Sequence, residues 1–278
     1  MKTLKAVGCA MGACANDVDT ALGPWYLYFH PEYFTMNWYH IHSFSSRERG
    51  LILEADLFDF LKQYSSSVSS ILSHGELPVC IGGDHAMAMG TWPAVKQHLN
   101  TSMGLIWIDA HLDAHTPISS HSKNFHGMPI AYLLGLWGNL QSCFQAEDII
   151  IIGARSFEDD EKKHLESLGV KIYWQEIVHQ RGIAAVMDEA YQILKSQHEH
   201  IGLSIDLDAF DPKACPGVGC PEKDGINPLE FMEFLKKHQA NDFIAYEMAE
   251  FNPMHDIDAK TAKILGLLVN IHSSPNDA

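Results

Sequence analysis

The sequence predicts an α/β fold: a mostly parallel sheet with helices on both faces, in a single domain over residues 1–278. Short apolar runs alternate with longer stretches of helical period through most of the chain. No Pro-, Ser- or Gly-rich linker divides it, although its length would allow two domains. With 46% hydrophobic and 19% charged residues, the chain can form a large core and does not resemble a disordered sequence.

Seven short apolar runs predict the strands, because each has strand length and is bounded by polar, Gly or Pro residues. They are KAVGC (5–9), ELPVCIGG (76–83), MGLIWID (103–109), DIIIIGA (148–154), VKIYW (170–174), HIGLSID (200–206) and DFIAYEMA (242–249).

Amphipathic stretches between these runs predict the helices. The first begins near Ser46, a cap-like residue, and ends at Gly75, a typical helix C-terminal residue. Pro93 is expected to bend or break the second helix, and the closing HSSPNDA (272–278) is expected to be a frayed tail. The predicted helices are 46–75, 85–99, a short one around 129–137, 159–169, 177–196, 227–239 and 258–272.

Composition excludes several classes of partner. The formal net charge of -16 should repel phosphate backbones and anionic lipids, so we expect no nucleic-acid partner. Gly12 and Asp17 interrupt the N-terminal apolar run, which is too short for a signal peptide, and no window has the length of a membrane span. A soluble, cytoplasmic protein without membrane contact is predicted.

The six cysteines occur in apolar contexts without a C-x-x-C pair, which favours reduced thiols. Cys215 and Cys220 are the one pair that could form a disulfide or bind zinc, although their spacing differs from that of common zinc motifs.

Polar clusters follow four of the predicted strands. They are GGDHA (82–86), DAHLDAH (109–115), DLDAFDP (206–212) and EFNP (250–253). Because ligands of parallel sheets bind at the carboxyl ends of the strands, we expect these segments to meet in one crevice.

Two of these clusters place ionisable residues at every second position, so that these side chains face the same side of an extended backbone. Crowded buried carboxylates repel unless they share a proton or bind a cation. A single Asp after a strand is usually a cap or turn residue, but two Asp-x-Asp or similar patterns indicate a metal site. Their oxygen and nitrogen donors suit two manganese ions, with other divalent metals possible, and predict hydrolysis. The candidate ligands are His85, Asp109, His111, Asp113, Asp206 and Asp208.

These motifs, together with HGMP (126–129), resemble the arginase and agmatinase family, the ureohydrolases, over nearly the whole chain. The resemblance implies a three-layer αβα domain with a parallel eight-stranded sheet, and a homo-oligomer, either a trimer or a hexamer. It also implies how two Mn²⁺ ions are bound, with Asp109 and Asp206 bridging. One ion would be held by His85, Asp109, Asp113 and Asp206, and the other by His111, Asp109, Asp206 and Asp208.

The resemblance further implies a mechanism in which a metal-bridging hydroxide attacks the guanidinium carbon and urea is released. Asp113 would orient the hydroxide, and His126 would transfer a proton to the leaving amine. Glu250 would pair with the substrate guanidinium, with Glu247 on the adjoining strand as its nearest rival. Alternatively, His126 and Glu250 are loop residues without a role.

The segment before HGMP is close to the arginase version and favours the small-molecule substrate L-arginine. Ser122 and Asn124 match positions that read the amino-acid end in arginases, whereas His115 stands where many arginases have Asn. Glu158 is the best match to the acid that meets the substrate amine, or it caps the next helix.

Other functions remain open at this stage. Agmatine, another guanidino acid or formiminoglutamate is an alternative substrate. A catalytically silent scaffold would be expected to have lost some ligand positions, and all six are filled. A metallophosphoesterase lacks support because no Arg or Lys cluster accompanies the motifs.

Overall fold

Eight parallel strands form one sheet in the computed structural model, which describes residues 2–44, 52–99, 101–137 and 141–271. Every strand pair within these residues is parallel, so the predicted sheet is confirmed. The order across the sheet is β2-β1-β3-β8-β7-β4-β5-β6. The strands are β1 Leu4–Ala10, β2 Trp38–Ser43, β3 Leu77–Gly82, β4 Met103–Ile108, β5 Ile149–Ile152, β6 Lys171–Tyr173, β7 His200–Asp206 and β8 Tyr246–Ala249.

Helices cover both faces of the sheet, because alternate strand residues pack into two separate apolar layers. In β4, Leu105 and Trp107 join the layer that includes α2 to α5, whereas Ile106 and Ile108 join the layer that includes α7 to α9. The predicted three-layer α/β/α domain is therefore confirmed. The helices are α1 Gly23–Phe29, α2 Glu54–Ser73, α3 Ala88–Leu99, α4 Pro129–Leu133, α5 Asp159–Leu168, α6 Gln175–Arg181, α7 Ile183–Gln197, α8 Pro228–Leu235 and α9 Lys260–Asn270.

Several predicted boundaries were wrong. Two helices, α6 and α7, replace the single helix predicted over 177–196, because Gly182 between them has a φ of 80°. The strand predicted from residue 242 begins at Tyr246, after a 3₁₀ turn at Ala240–Asp242. The predicted helix start near Ser46 and the predicted tail at 272–278 lie outside the described residues.

The order of the strands positions the polar clusters. β3, β8, β7 and β4 are consecutive neighbours in the sheet, and each is followed by one of the four clusters. Because all four strands are parallel, the clusters lie side by side at the carboxyl ends of these central strands. This arrangement accounts for the predicted convergence of the clusters in one crevice.

All six cysteines are free thiols, so Cys215 and Cys220 do not form a disulfide. None of the candidate metal-binding groups among the described residues contains a cysteine, which also disfavours a zinc site at this pair. Nowhere in the part of the chain that the structure describes does a helix have the length and hydrophobicity that spanning a bilayer requires.

Candidate metal centre and active site

His85 lies at the centre of the first group of candidate ligands. Its Nδ1 atom is 3.3 Å from Oδ2 of Asp109, 3.3 Å from Oδ2 of Asp113 and 3.0 Å from Oδ2 of Asp206. All four side chains are buried, and yet Nδ1 makes no hydrogen bond. A buried nitrogen without a hydrogen bond, facing three carboxylates, is suited to bind a cation.

His111 organises a second group beside the first. Its Nδ1 atom lies 3.6 Å from Oδ1 of Asp109 and 3.1 Å from Oδ2 of Asp208. Asp109 therefore belongs to both groups. The structure brings together all six predicted ligands: His85, Asp109, His111, Asp113, Asp206 and Asp208.

Local structure fixes the orientation of these carboxylates. Asp206 ends β7, and its Oδ1 accepts a hydrogen bond of 2.9 Å from the backbone N–H of Asp208, which leaves Oδ2 to face His85. Asp109 follows β4 and accepts a 2.8 Å hydrogen bond from the Trp107 indole. Asp113 has a φ of 48°, a left-handed conformation that is uncommon outside glycine and is often found at functional sites.

The carboxylates of this centre repel one another, and the pKa values of two of them reflect that repulsion. Burial and the charge of Asp109 raise the pKa of Asp113 to about 6. Burial and the charges of Asp208 and Asp109 likewise raise the pKa of Asp206. Two divalent cations would match the four carboxylates in charge, and the mixed oxygen and nitrogen donors suit manganese and related ions. The residues present therefore fit a two-metal centre.

His126 and Glu250 form a pair next to these groups. Nδ1 of His126 lies 3.1 Å from Oε1 of Glu250, which also accepts a 3.0 Å hydrogen bond from the backbone N–H of His85. Burial disfavours the protonated form of His126, but the hydrogen bond and charge of Glu250 outweigh it and raise the pKa of His126 to about 9. Glu250 is buried, and its Oε2 has no hydrogen-bond partner. A cationic ligand that reached this unpaired oxygen would satisfy it.

A cavity of about 160 Å³ opens above the ligand groups. His115 lies at its rim, where Nε2 is 2.9 Å from Oε2 of Glu158 and 3.8 Å from Oε2 of Glu161. The cavity is large enough for a small molecule only. Its lining consists of His111, Asp113, His115, His126, Gly127, Ser156, Glu158, Glu161, Asp206, Asp208 and Cys220.

Comparison with known proteins identifies the family. The model of the family described as "Arginase family" matches residues 7–270. The arginase of Bacillus caldovelox is 36% identical over 213 residues, which cover 73% of this chain and 70% of that protein. The chain belongs to the arginase family. It is thus an arginase-type ureohydrolase, a metal-dependent hydrolase of linear amidines, as the motifs had predicted.

Other members of the arginase family support the assignment. The arginase of Brevibacillus brevis is 33% identical over 237 residues, covering 82% of this chain and 79% of that protein. The solved structure of Bacillus caldovelox arginase covers 98% of both chains, with a TM-score of 0.86 and 29% identity. A formimidoylglutamase from Bacillus subtilis, at 17% identity and a TM-score of 0.82, shares the fold.

The substrate-binding residues inferred from the arginase-family resemblance are only partly near the cavity. His115 and Glu158 line it, but Ser122, Asn124 and Glu250 do not. The exposed Ser122 accepts a 3.2 Å hydrogen bond from the backbone N–H of the buried Asn124. A role for these two residues in binding substrate stays a prediction.

Sequence reasoning missed three cavity residues of this arginase-family chain: Ser156, Glu161 and Cys220. Glu161 is buried and accepts a 2.7 Å hydrogen bond from the backbone N–H of Ala114. Burial raises its pKa to about 7. Its position in the first turn of α5, three residues after Glu158, is the signal that could have identified it.

Glu247, the rival of Glu250, lies elsewhere. It is fully buried, does not line the cavity and is hydrogen-bonded to Trp92 and Ser204. Glu250 does not line the cavity either, but it contacts His126, which does, and this contact favours Glu250 as the acid that meets the substrate.

Proposed function

We propose that this protein is a manganese-dependent arginase that hydrolyses L-arginine to L-ornithine and urea at a dinuclear metal centre. One observation carries the proposal: two groups of carboxylate and imidazole donors share Asp109 beneath a small cavity that is also lined by His126, the partner of Glu250. The family resemblance further favours a homo-oligomer, a trimer or a hexamer.

The two ions would have separate but overlapping ligand sets. One would be held by His85, Asp109, Asp113 and Asp206, and the other by His111, Asp109, Asp206 and Asp208. When bound, a pair of divalent ions supplies a hydroxide nucleophile near neutral pH by lowering the pKa of water.

Three residues of the chain would act on the substrate. The carboxylate of Glu250 pairs with the planar guanidinium, whose N–H groups match a carboxylate well. Asp113 accepts a hydrogen bond from the attacking nucleophile and orients it toward the guanidinium carbon. As the carbon–nitrogen bond breaks, His126 donates a proton to the leaving amine, which departs as ornithine. The guanidinium carbon, its two remaining nitrogens and the oxygen of the nucleophile form urea.

Recognition of the other end of the substrate distinguishes arginine from its analogues. Glu158 would bind the α-ammonium group, and His115, Ser122 and Asn124 would read the α-carboxylate, as in arginases that this chain resembles. A second candidate substrate, agmatine, is favoured by one observation. Nε2 of His115 lies 2.9 Å from Oε2 of Glu158. This contact changes how Glu158 could recognise the amino-acid end of a substrate.

Urea release tests the proposal. The manganese-loaded protein would be given L-arginine or agmatine in parallel, and Asp206→Ala would serve as the control. We expect urea from L-arginine and none from the variant, because Asp206 would bridge both ions. Urea from agmatine alone would transfer the assignment to agmatinase. Full activity of Asp206→Ala would contradict the proposed metal centre.

A further inference from the structure

The nitrogen of His85 that faces away from the metal centre is held by a buried chain of hydrogen bonds. Its Nε2 atom lies 3.0 Å from Oγ of Ser204. Ser204 donates a 2.7 Å hydrogen bond to Oε1 of Glu247, and the Trp92 indole donates a 2.8 Å hydrogen bond to the same oxygen. All four side chains are essentially inaccessible to solvent.

This arrangement determines which nitrogen of His85 carries the hydrogen. A serine hydroxyl has one hydrogen to donate, and that of Ser204 is directed at Glu247. Ser204 must therefore accept from His85, so that Nε2 is the donor. In the neutral ring, Nδ1 is then the atom with the free lone pair, and Nδ1 is the atom that faces the three carboxylates.

We propose that Ser204 and Glu247 are positioning residues that fix the tautomer and ring orientation of His85 for cation binding through Nδ1. Trp107 holds the ring on its flat side, with stacked ring centroids 4.1 Å apart, while its indole N–H bonds Asp109. Partners of this kind behind a metal-binding histidine raise its basicity and are worth about 10- to 100-fold in metal affinity.

The burial of Glu247 supports a role beyond packing. A carboxylate without an adjacent cation is costly to bury, and Glu247 is fully buried. Its second oxygen, Oε2, has no hydrogen-bond partner. An apolar residue would fill this space at lower cost, but it would leave the Ser204 hydroxyl without the acceptor that holds it in its donor orientation.

The test is the Mn²⁺ affinity of the intact protein, measured by equilibrium dialysis with metal analysis. Ser204→Ala should weaken the binding of one ion about 10- to 100-fold. Ser67→Ala is a matched control, because Ser67 Oγ contacts Nε2 of another histidine, His42, at 2.8 Å and touches no candidate ligand. Its Mn²⁺ affinity should be unchanged.

A second pair of variants separates positioning from packing and does not depend on the folding of Ser204→Ala. Glu247→Gln retains an acceptor for Ser204 and should preserve most of the affinity, whereas Glu247→Ala should lose it. The inference rests on the proposed metal centre, but the two fail differently. A wild-type protein that binds no Mn²⁺ overturns both. Two ions bound equally tightly by the wild type, Ser204→Ala and Glu247→Ala overturn the inference alone.

Discussion

Glu250 combines several costly features at one residue. It is buried, it has a φ of 66°, and one of its carboxylate oxygens is unpaired. A left-handed backbone at a residue other than glycine costs about 1–3 kcal/mol and persists only where the surrounding structure imposes it. The conformation directs the carboxylate to both His85 and His126. These features together indicate a residue kept for its chemistry.

Replacement of Glu250 by Gln should lower the pKa of His126 from about 9 toward the ordinary histidine value of 6.5, because the hydrogen bond and charge of Glu250 are its main causes. A histidine pKa that is raised in the folded state stabilises the protein fully below about 6.5, and this contribution is lost as the pH rises through about 9. Without metal, the free energy of unfolding should therefore change less between pH 6.5 and pH 9.5 in Glu250→Gln than in the wild type.

Histidine NMR titration and urea unfolding at the two pH values would measure these effects. An unchanged His126 pKa in Glu250→Gln would show that the pair does not interact as the structure indicates. Wild-type protein provides the reference for both measurements.

At the level of elements, hydrophobic pattern predicted seven of the eight strands, with errors at their boundaries, but missed β2 and α1. Both lie in residues 23–43, where tyrosines, tryptophans and histidines replace the aliphatic residues of the other strands. In β2 only Ile41 is buried, since the strand lies at the sheet edge. The period-two signal of a half-buried strand was therefore too weak to read.

For a similar reason, some residues of the site could be predicted from the sequence and others could not. The candidate metal ligands stand out because charged residues at strand ends break an apolar pattern. Ser204 and Glu247 lie within strands and do not line the cavity, and the sequence indicated a positioning role for neither. Their role depends on which strands are neighbours: β7 and β8 place Ser204 opposite Glu247. That pairing is a property of the sheet order.

Two glycines at helix ends test how strongly these helix boundaries depend on backbone conformations that favour glycine. Gly182, between α6 and α7, has φ 80° and ψ 141°, a region that is essentially restricted to glycine. Gly169, which ends α5, has φ 83° and ψ 18°, near the left-handed helical region. An added Cβ would meet no atom within 4 Å at either position. Gly182→Ala should cost up to about 3 kcal/mol, more than Gly169→Ala at about 1–2 kcal/mol.

Urea unfolding of both variants at the same pH would measure the difference, with Gly169→Ala as the matched control. Equal losses would mean that the break between α6 and α7 does not depend on the unusual ψ of Gly182.

On the scale of the whole molecule, function follows from sheet order. Segments more than 160 residues apart, such as His85 and Glu250, meet because β3 and β8 are neighbours. The same order brings together the carboxyl ends of four central strands and the carboxylates that follow them. A net charge of -16 adds to the negative potential there and would attract both divalent cations and a guanidinium substrate.

The most direct test of this account is the rate of urea release from L-arginine, measured as a function of the Mn²⁺ bound per chain. Metal-free protein would be titrated with Mn²⁺, and bound metal and activity would be determined on the same samples. We predict no activity without metal and a maximum at two ions per chain, because the two ligand groups share Asp109. Full activity without bound metal, or a maximum at one ion per chain, would contradict the dinuclear centre.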